Sequence, residues 1–150
     1  MNKFNKLYNA LTFTWGIIPN IVAAVFIVPI FMLVFKLKKD PVKVETRYGR
    51  WVFIGGDSWG GLSMGNFIFM AKSAAKGTHT LKHEIGHSVQ NILWGPLWLF
   101  AIGIPSFLRY WYRETPLYKK KTDYDAIWFE GQATAWGAKY IEAYDRSEVA

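Results

Sequence analysis

His83 and His87 lie four residues apart, and Glu84 follows the first of them. On a helix this spacing projects both imidazoles from one face, about one turn apart, where they can hold a single zinc ion. Glu84 then lies beside the metal without having to ligate it. Its carboxylate can accept a proton from the attacking water and pass it to the leaving amine. That role explains the pattern H-E-x-x-H rather than merely H-x-x-x-H. The chemistry this implies is amide hydrolysis, with zinc as cofactor and a peptide or protein as substrate.

Zinc with one open position needs a third protein ligand. The chain has no cysteine, which excludes disulfides and thiolate-ligated zinc, including the upstream Cys ligand of peptide deformylases. The longer pattern H-E-x-x-H-x-x-G-x-x-H fails, because Gln90 and Leu93 stand where its Gly and third His would be. His79 is separated from His87 by about 12 Å of helical rise, too far to close on the same ion. It reads as a helix-start or pocket-rim residue. The remaining carboxylates are Glu114, Asp123, Asp125, Glu130 and Glu142. Glu130 is the best placed: it follows the apolar run Ala126-Ile127-Trp128-Phe129, where an unpaired carboxylate is costly to bury. Gly131, Ala133 and Ala135 would let its helix approach the first closely. The competing reading makes Glu130 a surface residue of an amphipathic helix.

The H-E-x-x-H helix and a later Glu-bearing helix resemble the gluzincin branch of the zincin metallopeptidases. More closely, the chain resembles small bacterial membrane-associated proteins of metallopeptidase type. The resemblance covers about residues 55 to 138. It rests on Gly60-Gly61-Leu62-Ser63-Met64-Gly65, on His83-Glu84-Ile85-Gly86-His87-Ser88-Val89-Gln90, and on Gly95-Pro96-Leu97 with Gly103-Ile104-Pro105-Ser106. Its last part is Trp128-Phe129-Glu130-Gly131-Gln132-Ala133. It implies a minimal zincin-like α+β domain with zinc held by His83, His87 and Glu130 and with Glu84 as the base. One departure is Thr134, where the family pattern has an Asp that orients a ligand His. Thr134 can accept the same hydrogen bond without charge, which implies weaker metal binding or activity, and Asp123 or Asp125 could substitute for the missing carboxylate. The alternative is a membrane-anchored metal-binding or interaction module that cleaves nothing. A Tyr or His often stabilises the oxyanion in such sites. Tyr110, Tyr112, Tyr118, Tyr124 and Tyr140 all remain open for that role.

Several elements must position these residues. The His helix is expected from Thr78 or Thr80 to Trp94, with Thr80 a possible N-cap and Gly95-Pro96 a firm stop. The Glu helix is expected to start at a cap on Asp123 or Asp125 and run to about Ala143, with a frayed tail from Asp145. Pro116 to Thr122 reads as a polar loop. Val42–Tyr48 alternates apolar and polar residues, Trp51–Ile54 is a short strand, and Leu62–Met70 reads as a third. Gly55 to Gly61 is a loop with unusual backbone demands. The Gly-rich strand could present an edge beside the metal, where an extended substrate adds as another strand. A glycine-bulged structural strand is the equally weighted reading.

The stretch from Trp15 to Phe35 carries no charge and is close to the ~20 residues that span a bilayer. Pro19 and Pro29 are better tolerated there than in a soluble helix. A cleaved signal peptide is the rival, but the apolar stretch is long and Lys36-Leu37-Lys38-Lys39 looks like a stop-transfer flank; a buried core helix is the remaining alternative. The chain therefore divides into an anchor, 1–40, and a metallopeptidase domain, 41–150. Lys36, Lys38, Lys39, Lys43, Arg47 and Arg50 follow the apolar run, against Lys3 and Lys6 before it, which weakly favours a cytoplasmic domain. The second apolar stretch, Leu97–Leu108, is too short to span as a helix. It reads as a core, interfacial or re-entrant segment. The net charge of +7 flanks apolar segments instead of forming one patch, which fits a lipid surface and argues against nucleic acid as a partner. A basic surface-binding protein with an incidental His pair is a third reading. Oligomeric state is not readable.

Overall fold

The computed structural model describes residues 3–118 and 123–149, so part of the expected polar loop lies outside the described residues. The fold is α+β. Helix α1 (Lys3–Thr14) is an element the sequence reading passes over. It leads into α2 (Ile17–Leu37), which is long and apolar enough to cross a membrane and leaves most of its surface exposed. A sheet of four strands follows: β1 (Lys43–Arg47), β2 (Arg50–Ile54), β3 (Gly61–Met64) and β4 (Phe67–Met70), in the order β1-β2-β4-β3. After the short α3 (Lys72–Lys76) come α4 (His79–Trp94), α5 (Ile104–Arg113) and α6 (Trp128–Val149).

Both hairpin turns use left-handed backbone. Tyr48 and Gly49, with φ of 51° and 73°, join β1 to β2 as a type I′ turn, so Tyr48 is a turn residue and not the end of the strand. Gly65, with φ of 64°, and Asn66 join β3 to β4. The single strand expected over Leu62–Met70 is therefore a hairpin, and β4 returns to lie parallel to β2. The turn is fixed from outside: Asn20 of α2 accepts a hydrogen bond from the Asn66 N–H at 2.8 Å, and its side chain fills the space a Cβ on Gly65 would need.

All four β4 residues are buried, because both faces of the sheet are covered. Val52, Ile54, Ile68 and Met70 pack on Leu81 and Ile85 of α4. Phe53, Phe67 and Phe69 pack on Ala23, Ile27 and Phe31 of α2. The outer strand β1 breaks the expected pattern: Val44 is exposed while Glu45 and Arg47 are half-buried.

Prolines shape the apolar helices. A π turn at Ala23–Ile27 precedes Pro29, and another at Leu99–Gly103 precedes Pro105. A proline ring clashes with the carbonyl four residues back, and one widened turn relieves the clash without ending the helix. The stretch after Gly95 is thus helical throughout, from a 3₁₀ turn at Gly95–Leu97 through the π turn into α5. Trp98 and Ile102 pin it to Phe129. α6 begins at Trp128 after a 3₁₀ turn at Tyr124–Ala126, and it continues through the tail expected to fray.

Candidate metal centre

α4 and α6 cross at very short range. A Cβ on Gly86 would lie 1.7 Å from the Ala133 carbonyl oxygen, and one on Gly137 would lie 1.7 Å from that of Lys82. The contact therefore uses Ala133 and Gly137 of α6; Ala135 is exposed, and Gly131 instead packs on the Asp125 carbonyl. With the backbones this close, Glu130 in the first turn of α6 reaches the face of α4 that carries both histidines. Glu130 Oε2 lies 3.1 Å from His83 Nε2 and 3.2 Å from His87 Nε2, and the two Nε2 atoms are 3.1 Å apart. All three side chains are buried.

The surrounding hydrogen bonds decide which ring nitrogens face inward. Thr134 Oγ1 donates to Asp125 Oδ2 at 3.1 Å, so it accepts from His83 Nδ1–H at 2.9 Å. Gln90 Nε2 donates to the Phe129 carbonyl at 2.7 Å and to Gln132 Oε1 at 3.1 Å. Its Oε1 is thereby turned to accept from His87 Nδ1–H at 2.8 Å. Nδ1 is the donor in both rings, so each neutral imidazole presents its Nε2 lone pair to the centre. Two ring nitrogens and a carboxylate oxygen thus converge on one point. His83, His87 and Glu130 could hold a metal ion.

Glu84 lies next to this group and outside it. Gly61 of β3 makes room for it, since a Cβ there would come within 2.6 Å of its Oε1. The two carboxyls are driven apart electrostatically. Burial, assisted by the Glu130 charge and opposed by His83, pushes Glu84 up to about 7. Burial also opposes ionisation of Glu130, but in the metal-free site the charged carboxylate is favoured wherever a neighbouring Nε2 of His83 or His87 carries a proton, and with Ser106 this outweighs burial and leaves Glu130 at about 2. The helix N-terminus favours that charge as well.

Two cavities meet at His83, Glu84, Gly61 and Tyr110. The smaller, of 250 Å³, is lined in part by Thr80, Arg113, Glu114 and the exposed His79, which opens α4 and stands at the rim. The larger, of 330 Å³, is apolar, with walls from β3, from the segment 98–111 and from Ile27 of α2. β3 is an edge strand, with β4 on one side and the cleft on the other.

Other candidates fall elsewhere. Asp123 lies off the relay, its backbone carbonyl accepting from Arg109, and Glu142 pairs with Arg146 on the exposed end of α6. Tyr140 is in the core, bonded to Arg50, while Tyr112 stacks on Tyr118. Tyr110 lines both cavities, and the Tyr124 side chain lies outside the described residues. Thr80 is not the N-cap; Thr78 occupies that position without a side-chain capping bond. Sequence reasoning missed Gln90. A glutamine three residues after His87 and one turn along the same face was the available signal. Compared with protein-family models, curated proteins and solved structures, the chain matches none.

Proposed function

We propose that the chain is a membrane-associated zinc-dependent hydrolase acting on peptide bonds, with a minimal zincin-like architecture. The observation that carries this reading is the triangle of donors with a separate carboxylate beside it. Three ligands of a tetrahedral zinc at ~2.0–2.1 Å stand about 3.3 Å from one another. His83 Nε2, His87 Nε2 and Glu130 Oε2 stand 3.1 to 3.2 Å apart. Zinc held there supplies Lewis acidity, acidifying water and polarising a carbonyl.

The protein's own groups supply the rest. Glu84 accepts a proton as the water oxygen bonds to the carbonyl carbon, and returns it to the nitrogen as the C–N bond breaks. The free edge of β3 can align an extended peptide across the site through backbone hydrogen bonds. The apolar cavity can take one of its side chains. The hydrogen bonds from His83 through Thr134 to Asp125 bring a carboxylate to bear on the ring, which supports an active site over a decayed one.

The test is metal content and peptide hydrolysis of the full chain in detergent. Wild type should carry about one zinc per chain, and His87→Ala and Glu130→Ala should lose it. Glu84→Gln should keep the zinc and lose hydrolysis by several orders of magnitude. Zinc-free folded wild type after metal is supplied would refute the site, and an active Glu84→Gln would remove Glu84 from the chemistry.

A further inference from the structure

The helical segment after Gly95 carries an apolar stripe that the metal centre does not use. Leu97, Phe100, Ile104, Phe107, Leu108 and Trp111 are 42 to 69% exposed. Their spacing puts them along one side of a helix. α5 has no buried residue at all, so packing within the chain does not account for its apolar content.

The segment that carries the stripe runs near the start of α2 at one end and faces Ile27 across the larger cavity at the other. At its start, the Trp15 ring occupies the space above Gly95, and the Asn91 side chain donates to the Gly16 carbonyl at 3.1 Å. Further along, Phe107 and Trp111 share the larger cavity with Ile27 of α2. Around Ile27, α2 exposes Ile21, Val25, Phe26 and Ile30. Both surfaces are apolar and exposed, and extended apolar exposure of this kind marks a membrane or partner contact. The far end of the stripe is aromatic and basic, with Arg109, Tyr110, Trp111, Tyr112 and Arg113 in succession, the composition that sits among lipid headgroups. The net charge of +7 favours an anionic surface.

We propose that residues 97–111 are a second bilayer contact, a helix that turns its apolar stripe to lipid beside α2. The mouth of the apolar cavity then opens at the lipid, and what enters the metal cleft through it comes from the membrane. The contact does not depend on the metal or on hydrolysis, so it can fail while the hydrolase reading stands, and the reverse.

The chain has no cysteine, which makes site-directed spin labelling direct. Single cysteines at Phe100, Phe107 and Leu108 replace exposed side chains, so the fold is not at stake, and three sites guard against the loss of one. Val25→Cys on α2 and Ala138→Cys on the exposed side of α6 are the references. Each labelled full chain is reconstituted in phosphatidylcholine–phosphatidylglycerol vesicles. Power saturation then compares access of oxygen with access of a water-soluble nickel complex. The expected result is an oxygen-to-nickel ratio at all three sites severalfold above that at Ala138 and at or below that at Val25. Ratios equal to the Ala138 value would overturn the proposal. So would an aqueous reading at Val25, which removes the neighbouring bilayer. Labels shielded from both reagents, with spectra broadened by a nearby second label, would assign the face to another copy of the chain and equally overturn it.

Discussion

His83 reaches its supporting carboxylate through one extra hydroxyl. Thr134 accepts a hydrogen bond from Nδ1–H and donates its own to Asp125, whose other oxygen is 3.8 Å from the ring. Thr134→Val should break that relay and weaken zinc binding by about 10- to 100-fold, as measured by chelator competition. Thr134→Asp should retain most of the affinity, and an unchanged affinity in the valine variant would show that the relay does not orient the ring. Glu84 governs a second expectation, for the metal-free protein. Its carboxyl is raised from 4.5 to about 7, chiefly by burial. Between those values the unfolded chain has lost the proton and the folded chain keeps it. Stability is therefore full at low pH and falls as pH rises through the window, by roughly 3 kcal/mol. Glu130, lowered to about 2, acts oppositely: its contribution is present above 4.5 and lost on acidification towards 2. Melting temperature should therefore fall between pH 4.5 and 7 in metal-free wild type and stay level in Glu84→Gln over the same range. Parallel profiles would contradict the burial argument.

The α4–α6 crossing is what turns three separate side chains into one centre. Glycine in a helix interior costs about 1 kcal/mol relative to alanine, so Gly137→Ala would stabilise an isolated helix. Here the added methyl meets the Lys82 carbonyl at 1.7 Å and the Gly86 nitrogen at 2.9 Å, both backbone atoms that cannot swing aside. The clash should win. Gly137→Ala is expected to destabilise by about 1–3 kcal/mol and to lose zinc, because separating the helices carries Glu130 away from the histidines. Ala138→Ser, one residue along on the exposed side, is the control and should do neither. Differential scanning fluorimetry with metal analysis reads both. A stable, zinc-loaded Gly137→Ala would mean the helices have slack the structure does not show.

Over the whole molecule, Arg50 joins parts distant in sequence. It is fully buried, with its guanidinium 3.8 Å from the Tyr8 ring and 4.5 Å from the Tyr140 ring. Its Nε donates to Ser88 at 2.8 Å, and its Nη1 donates to the Tyr48 carbonyl and the Tyr140 hydroxyl. One side chain thus ties α1, β2, α4 and α6. Arg50→Ala should cost about 3–5 kcal/mol, from an emptied cavity and abandoned polar partners. Equilibrium unfolding in detergent checks this, and a loss under 1 kcal/mol would mean the cluster contributes little. The sequence placed Arg50 only in a basic flank, because nothing local marks a charge that becomes buried between rings 42 residues upstream and 90 downstream.

Local spacing was enough for several conclusions. Helical period put His83 and His87 on one face, run length identified the apolar helix, and Gly95-Pro96 marked the end of α4, since each depends only on neighbouring residues. The sequence also singled out Glu130, which the structure brings beside the two histidines, from the cost of burying a carboxylate among apolar residues. What it could not supply were relations between distant residues. The break at Gly65-Asn66 depends on Asn20, 46 residues earlier in the chain. The partners of the two histidines, Gln90 held by Phe129 and Thr134 held by Asp125, become legible only when α6 lies on α4. Spacing along a chain fixes which groups share a face. Which faces meet, and at what distance, is decided by packing, and here by two glycines with no side chain to hold the helices apart.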